Sequence, residues 1–461
     1  MKKFLELFLQ AIRGEEKDFT KGSINRAIVL LAVPMVLEMA MEALFALVDV
    51  FFVSQIGTEA VATIGLTEVV LFIIESVALG VSMAATAMIA RRIGEKDKEG
   101  ASIAAVQTIV IGIVFSFTFG LITFFNADHI LRIMGGSPEL VAQGSPYTRI
   151  ILGFNCTLFF IFLLNAIFRG AGDAAIAMRT LILSNSINIV LDPCLIFGIG
   201  PFPELGLTGA AIATTIGRGT GVAYQIYMMT RGDGILKIYK RHVKVVWPII
   251  KSLMKVAMGG IGQFIIATVS WVFIVRIIAQ FGDQSTAGYS IAIRIIIFSI
   301  LPAWGMANAA ATLVGQNLGA KQPDRAEKSV WMAAKLNVVF LAAIGIVLWL
   351  IGPWMVQFFS KDPVVIKESV TGLRIFCLGY IFFAYGMVVS QAFNGAGDTF
   401  TPTLINFVCF WLVQIPVAYL LAIVFNLESA GAYWGIALSE ALLAVISITI
   451  FRRGKWKLRE I

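Results

Sequence analysis

Residues 168–173 read FRGAGD and residues 393–398 read FNGAGD, 225 positions apart. The same offset relates VDVFFVSQIG at 48–57 to FIVRIIAQFG at 273–282. It also relates GVSMAATAMIARRIGEK at 80–96 to GMANAAATLVGQNLGAK at 305–321. Three segments sharing one offset mark a duplicated unit. Between them lie apolar runs near 27–53, 60–89, 101–125, 147–168, 175–198, 207–230, 249–280, 286–313, 327–352, 370–393, 402–425 and 430–451. Each is long enough to cross a bilayer, which takes about 20 mostly apolar residues. The offset contains six runs, an even number, so the second copy enters from the same side as the first. The expected fold is an all-α membrane protein with 12 transmembrane helices. They form two six-helix bundles related by a pseudo-twofold axis along the membrane normal.

Composition supports a lipid solvent. Of the 461 residues, 58% are hydrophobic and only 14% are charged. A soluble domain carries roughly 25% charged residues and needs them to cover its surface. The net charge of +8 would suggest nucleic acid in a soluble protein. Here well over half of the 36 Lys and Arg lie at the two termini and in the loops after even-numbered spans. The loops on the other side hold only Arg132, Lys361 and Lys367. Positive residues stay inside, so both termini are expected on the cytoplasmic side of the cell membrane. The expected organisation is a cytoplasmic amino-terminal segment (1–26), an N-lobe (27–230), a basic cytoplasmic linker (231–248), a C-lobe (249–451) and a cytoplasmic tail (452–461). Within the first segment, Phe4, Leu5, Phe8, Ala11 and Ile12 recur at helical spacing and predict a short interfacial helix. No nucleic-acid partner is expected.

The two GAGD segments fall in turns, after the fourth and tenth spans. Gly permits the tight turn and Asp can cap the next helix. A phosphate-binding Gly loop would need a preceding strand and a following Lys, and neither is present. Cys156, Cys194, Cys377 and Cys409 lie far apart in apolar spans, and His129 and His242 form no ligand cluster. No HExxH or GxSxG occurs, so the chain is not expected to be an enzyme. No cofactor is expected.

Ionisable residues inside a span are expensive and mark function by default. Span 1 holds Glu38, Glu42 and Asp49. At ~100° per residue, Glu42 and Asp49 stand ~40° and ~20° around the helix from Glu38, so the three share a face. Span 2 adds Glu68 and Glu75. Span 5 holds Asn185, Asn188 and Asp192, the last two stacked one turn apart. Pro193 removes a backbone donor and leaves a carbonyl unpaired one turn back. Two carboxylates, an amide oxygen and a carbonyl suit a hard cation or a shared proton, and Thr214 in span 6 can add a hydroxyl. Asp49 aligns with Ile274, and Asp192 with Pro416 or Val417, so neither acid recurs in the second half. A purely structural acid would be needed in both. Arg276 and Arg294 in spans 7 and 8 either face the cleft, pair with acids or snorkel to an interface. Pro34 frees a carbonyl in span 1 and is a candidate hinge.

With GQNLGAKQPDRA at 315–326 and LDPCLIFGIGPFPELGLTGAAIATT at 191–215, the duplicated pattern resembles the multidrug and toxic compound extrusion (MATE) transporters, in their DinF-like branch. The resemblance covers about residues 25–452. It implies a secondary antiporter exporting organic cations or amphipathic compounds in exchange for H+ or Na+. It implies a cation site of Asp49, Asn188 and Asp192, a metal site if Na+ is the ion, joined by a span 6 threonine, for which Thr214 is chosen. Glu38, Glu42, Phe45 and Asn165 are the candidate cargo contacts. Drug-like small molecules and membrane lipids are the implied partners of a monomer. A lipid or lipid-linked oligosaccharide flippase of the same superfamily is the alternative. The acidic first lobe favours cationic cargo over it. A major facilitator would carry a GxxxDRxGRR-like loop after span 2, where this chain reads RRIGEKDKEGA.

Overall fold

The computed structural model describes residues 2–15, 18–232 and 234–461. Helices α1 (Lys2–Arg13), α2 (Ile24–Ser54), α3 (Thr58–Gly94), α4 (Lys98–Ile133), α5 (Pro138–Gly153), α6 (Cys156–Ala171), α7 (Ala174–Phe197) and α8 (Gly206–Arg231) form the first half. Helices α9 (Trp247–Ala279), α10 (Asp283–Gly319), α11 (Pro323–Phe359), α12 (Pro363–Gly395), α13 (Phe400–Val424) and α14 (Glu428–Arg452) form the second. Helices α5 and α6 make one span, broken where Phe154 and Asn155 leave the regular helix. In lipid every backbone group must be satisfied within its own segment, which leaves helices as the economical solution for apolar runs of this length.

Among the described residues, eleven spans qualify by length and apolarity alone. The sixth expected span is α8, 26 residues long. Its Gly, Thr and Ala residues lower its hydropathy because it packs on other helices more than on lipid. Small residues permit such close helix approach. Several spans are longer than their apolar runs predict. Helix α4 continues to Ile133, with a kink at Asn126 (φ −114°). Helix α13 is wound wide as a π-helix over Phe407–Gln414 and again over Leu420–Val424.

Glycines at equivalent positions make equivalent contacts across the two halves. A Cβ at Gly80 of α3 would stand 2.6 Å from the Ile261 nitrogen in α9. One at Gly305 of α10 would stand 2.6 Å from the Val36 nitrogen in α2. Both members of this contact are shifted by 225 residues. Likewise Gly94 would meet the Gln316 carbonyl oxygen at 2.0 Å, and Gly319 the Arg91 carbonyl oxygen at 2.1 Å. No residue but glycine fits such approaches without moving the backbone. The reciprocity is what a twofold axis running between α3 and α10 requires. Those two helices run in the same direction, so the axis lies along the bundle.

Gly94 and Gly319 lie at the end of the bundle where both chain termini and the linker are found. There the halves are stitched together. Arg325 of α11 donates to the carbonyls of Phe19, Lys21 and Gly22. On the other half, Arg179 donates to the carbonyls of Ile12 and Arg13 at 3.0 Å. At the other terminus, Arg91 donates to the Arg459 carbonyl at 2.6 Å while Lys457 meets Glu327 at 2.6 Å. The Glu327 carboxylate keeps the Lys457 ammonium charged to higher pH than usual. Helix α1 exposes Leu5 and Leu9 and buries Ala11 against α2 and its neighbours, as an amphipathic helix on the bundle surface does. Phe4, named in the sequence pattern, lies outside the described side chains.

Gly172 (φ +92°) and Gly397 (φ +81°) form the two GAGD turns in the left-handed region, as expected. One detail differs. Asp398 caps its own helix start through Thr401. Asp173 accepts instead from the Ile235 amide at 2.7 Å and makes no cap bond to α7. The linker thus engages Asp173, while Asp398 lies 3.9 Å from the Arg459 guanidinium of the tail. Ser102, Gln107 and Glu99 hold the rest of the linker against α4, Glu99 through buried His242 at 2.6 Å and through Arg241.

Candidate functional site

Helix α7 carries Asn188 and Asp192 one turn apart, and both are buried. Asn188 Nδ2 donates to Asp192 Oδ1 at 3.1 Å and lies 3.3 Å from Thr214 Oγ1 on α8. The amide thus turns its hydrogens toward the carboxylate and hydroxyl. Its own Oδ1 and the second oxygen of Asp192 are buried with no protein partner. Two unpartnered buried oxygens suit a hard cation or a transferable proton, since a buried unpaired acceptor otherwise costs ~1–3 kcal/mol. Asp49 of α2 is partly exposed and close enough to Asp192 for the two charges to act on each other. The residues present fit a monovalent cation bound between α2, α7 and α8. Among the described residues, no three His, Cys, Asp or Glu side chains group as a site for other metals.

Helix α7 is held to α2 by Asn185, which donates to the Met41 carbonyl at 2.8 Å. This bond lies between Glu38 and Glu42 and sets the rotation of the acidic face of α2. Two residues near the site carried no signal in the sequence reading. Tyr147 of α5 is buried within electrostatic range of Asp49, Glu68 and Asp192. Arg218 of α8 lies within range of Glu42, Asp49 and Glu75, and its guanidinium sits 5.2 Å from the Phe45 ring centroid. A polar aromatic and an arginine in mid-span were visible as types, but nothing local ties them to α2.

Two adjoining cavities share part of their walls. One, of about 280 Å³, lies between the halves and is lined by Glu42, Glu75, Arg169, Phe162, Trp304 and Asn394 among others. The other, of about 300 Å³, enters the second half. Of the four candidate cargo contacts, Glu42 lines the first cavity. The other three are engaged elsewhere. Glu38 is fully buried and accepts from Arg169 Nη1 at 2.6 Å. Phe45 lies under Arg218. Asn165 accepts from Gln225 at 2.6 Å inside the lobe. The buried Glu38 and Asn165 are thereby partnered by side chains of their own lobe. Of the second-span acids, Glu75 lines the cavity and Glu68 is exposed. Arg276 and Arg294 are both exposed, Arg294 within electrostatic range of Glu68.

The MatE family profile matches the chain twice, over residues 34–194 and 261–420. The two matches follow the internal duplication. The chain is 27% identical to the "Probable multidrug resistance protein NorM" of Thermotoga maritima over 95% of this chain and 94% of that protein. It is 25% identical to the "Probable multidrug resistance protein YoeA" of Bacillus subtilis over 96% of each. Among solved structures, one described as the outward-facing conformation of a multidrug resistance MATE family transporter superposes with a TM-score of 0.90. It has 26% identity and covers 96% of this chain and 98% of that one. With the family matched over most of both halves and the fold shared end to end, this chain belongs to the MatE family of membrane transporters.

Proposed function

We propose that this chain is a secondary active multidrug efflux antiporter of the cell membrane, exporting organic cations or amphipathic compounds in exchange for H+ or Na+ by alternating access. The observation that carries this reading is the cluster Asp49, Asn188, Asp192 and Thr214. It is an oxygen-rich pocket inside an apolar lobe, and the other lobe lacks its carboxylates. The similarity to proteins named for multidrug resistance supports the cargo class. Two neighbouring carboxylates in low dielectric cannot both stay ionised without a cation. The cation enters this site when it faces outside, and its release inside resets the cleft. Glu42 is the cargo contact on the N-lobe wall.

In this reading the basic end of the bundle is cytoplasmic. The named contacts between the halves lie in the basic half, so this is the state closed to the cytoplasm. Single cysteines report the orientation. Lys455→Cys should react with an impermeant maleimide only in inverted vesicles, and Pro203→Cys only in intact cells. Labelling of Lys455→Cys from outside would reverse the topology.

Pro34 is buried within α2, which continues as helix on both sides of it. A proline here leaves the Leu30 carbonyl without its helical donor and weakens the helix at that turn. We assign it the bending point of α2 as the lobes exchange states. Pro34→Ala should restore one helical bond, raise thermal stability and slow efflux severalfold, by ~1 kcal/mol of added bending cost. Unchanged efflux rates at matched expression would remove Pro34 from the mechanism.

The deciding experiment uses proteoliposomes with an imposed gradient of Na+ or of H+. Efflux of a cationic dye should follow one of the two gradients. Equal efflux with neither would refute antiport.

A further inference from the structure

We propose that the C-lobe holds a receptor for the cationic centre of the cargo, formed by Glu440 in an aromatic-walled cavity. This deepens the efflux reading by assigning where the charge of the transported molecule is received.

Glu440 lies 12 residues from each end of α14 (Glu428–Arg452), so about 18 Å of helix separates it from either terminus. An acid at that depth is costly as a bare charge and is stabilised by a proton or by a counter-charge. Among the described residues Glu440 has no hydrogen-bond or ion-pair partner, and no Lys or Arg lines the cavity it borders. Its carboxylate is not sealed in the helix packing, since neither oxygen is among the buried orphaned atoms. It faces the 300 Å³ cavity. Three acids of the N-lobe differ in this respect: Glu38 has Arg169 for its charge, and Glu42 and Asp49 stand within range of Arg218.

The cavity wall is built for a delocalised or alkylated cation. Phe264, Trp271, Trp304, Phe376 and Phe410 line it together with Glu440. Phe264 and Trp304 stack with centroids 6.3 Å apart. Aromatic faces attract a cation that sheds its water, and a quaternary centre has no hydrogens that demand acceptors. The amide oxygens of Gln263, Gln391 and Asn394 on the same wall already accept from one another's amides, so the lone carboxylate beside aromatic rings favours a monovalent, lipophilic organic cation over a metal ion, which needs several oxygens. The cavity adjoins the cleft, since Phe264, Trp304 and Asn394 line both this cavity and the one between the lobes.

At the 225-residue offset Glu440 corresponds to Thr215 of α8 and Ser439 to Thr214, so the first half has no acid at the position of Glu440.

The test is equilibrium binding of radiolabelled tetraphenylphosphonium to the purified full chain in lipid nanodiscs, with no ion gradient. Triphenylphosphine oxide, similar in shape and uncharged, is the comparison. Glu440→Gln keeps the side-chain volume and removes the charge. Tetraphenylphosphonium affinity should fall about tenfold or more in Glu440→Gln, while that of triphenylphosphine oxide changes less than about twofold. Equal tetraphenylphosphonium affinity in wild type and variant overturns the proposal. So does an equal loss for both compounds, which would mark a collapsed cavity, or the absence of saturable binding to wild type. Since no gradient is used, the outcome is independent of whether Asp49 and Asp192 couple transport.

Discussion

Asp49→Asn and Asp192→Asn will each abolish gradient-driven efflux of a cationic dye while leaving expression and folding near wild type. Asn keeps the shape of Asp and removes its charge and its proton. At Asp192 the Asn188 amide still finds an acceptor, so the contact at 3.1 Å survives. What disappears is the negative charge that binds the coupling ion. Coupling between two sites is a free energy of typically 1–3 kcal/mol, and the loss of its upper range lowers gradient-driven transport on the order of 100-fold. Because linkage is reciprocal, cargo should lower affinity for the ion in wild type by the factor that the ion lowers affinity for cargo. Neither variant should retain that dependence. Efflux at the wild-type rate, still responding to the gradient, in either variant would defeat the assignment.

Breaking the Glu38–Arg169 pair will cost the most stability of any single polar change in the N-lobe. Glu38 is fully buried and Arg169 nearly so, and they meet at 2.6 Å. Removal of one partner leaves a charge in low dielectric with no compensation, a penalty of ~3–5 kcal/mol. Glu38→Gln and Arg169→Met should therefore each lower the thermal midpoint strongly. The double variant should recover much of the loss, because no lone charge remains. Arg169 also joins the halves, since its carbonyl accepts from Thr312 Oγ1 at 3.3 Å and the neighbouring Gly170 carbonyl from Gln316 at 3.1 Å. A thermal midpoint unchanged by either single variant would mean that the pair carries no net energy.

The spans, their pairing into two like halves and the N-lobe oxygen cluster were legible in the sequence because each rests on local or repeated information. An apolar run of spanning length has one outcome in lipid, whatever its neighbours. Asn188 and Asp192 meet because they are one helical turn apart, and Asp49 was marked by its lack of a partner copy at Ile274. Helix α8 was recognisable by its place in the repeat, although it is less apolar than its neighbours.

Other features depend on helices distant in the chain. Glu38, Glu42 and Asp49 share a face of α2, yet they meet different surroundings because α6, α7 and α8 cross that face at different heights. Arg169 closes on Glu38 from 131 residues away, Asn185 anchors Met41, and Arg218 covers Phe45. The cargo contacts were the hardest to place, since a cavity wall is a property of the gaps left between helices. Glu440 passed unremarked as one acid in a long apolar helix until the fold set it opposite the rings of α9, α10, α12 and α13. The sequence by itself determined which segments enter the membrane and which lobe carries the Asn188–Asp192 oxygen cluster, since burial and helical period act along the chain. Only the tertiary structure decided which buried charges are neutralised and which remain to meet a ligand, since that depends on distances of a few ångströms between side chains that no local pattern encodes.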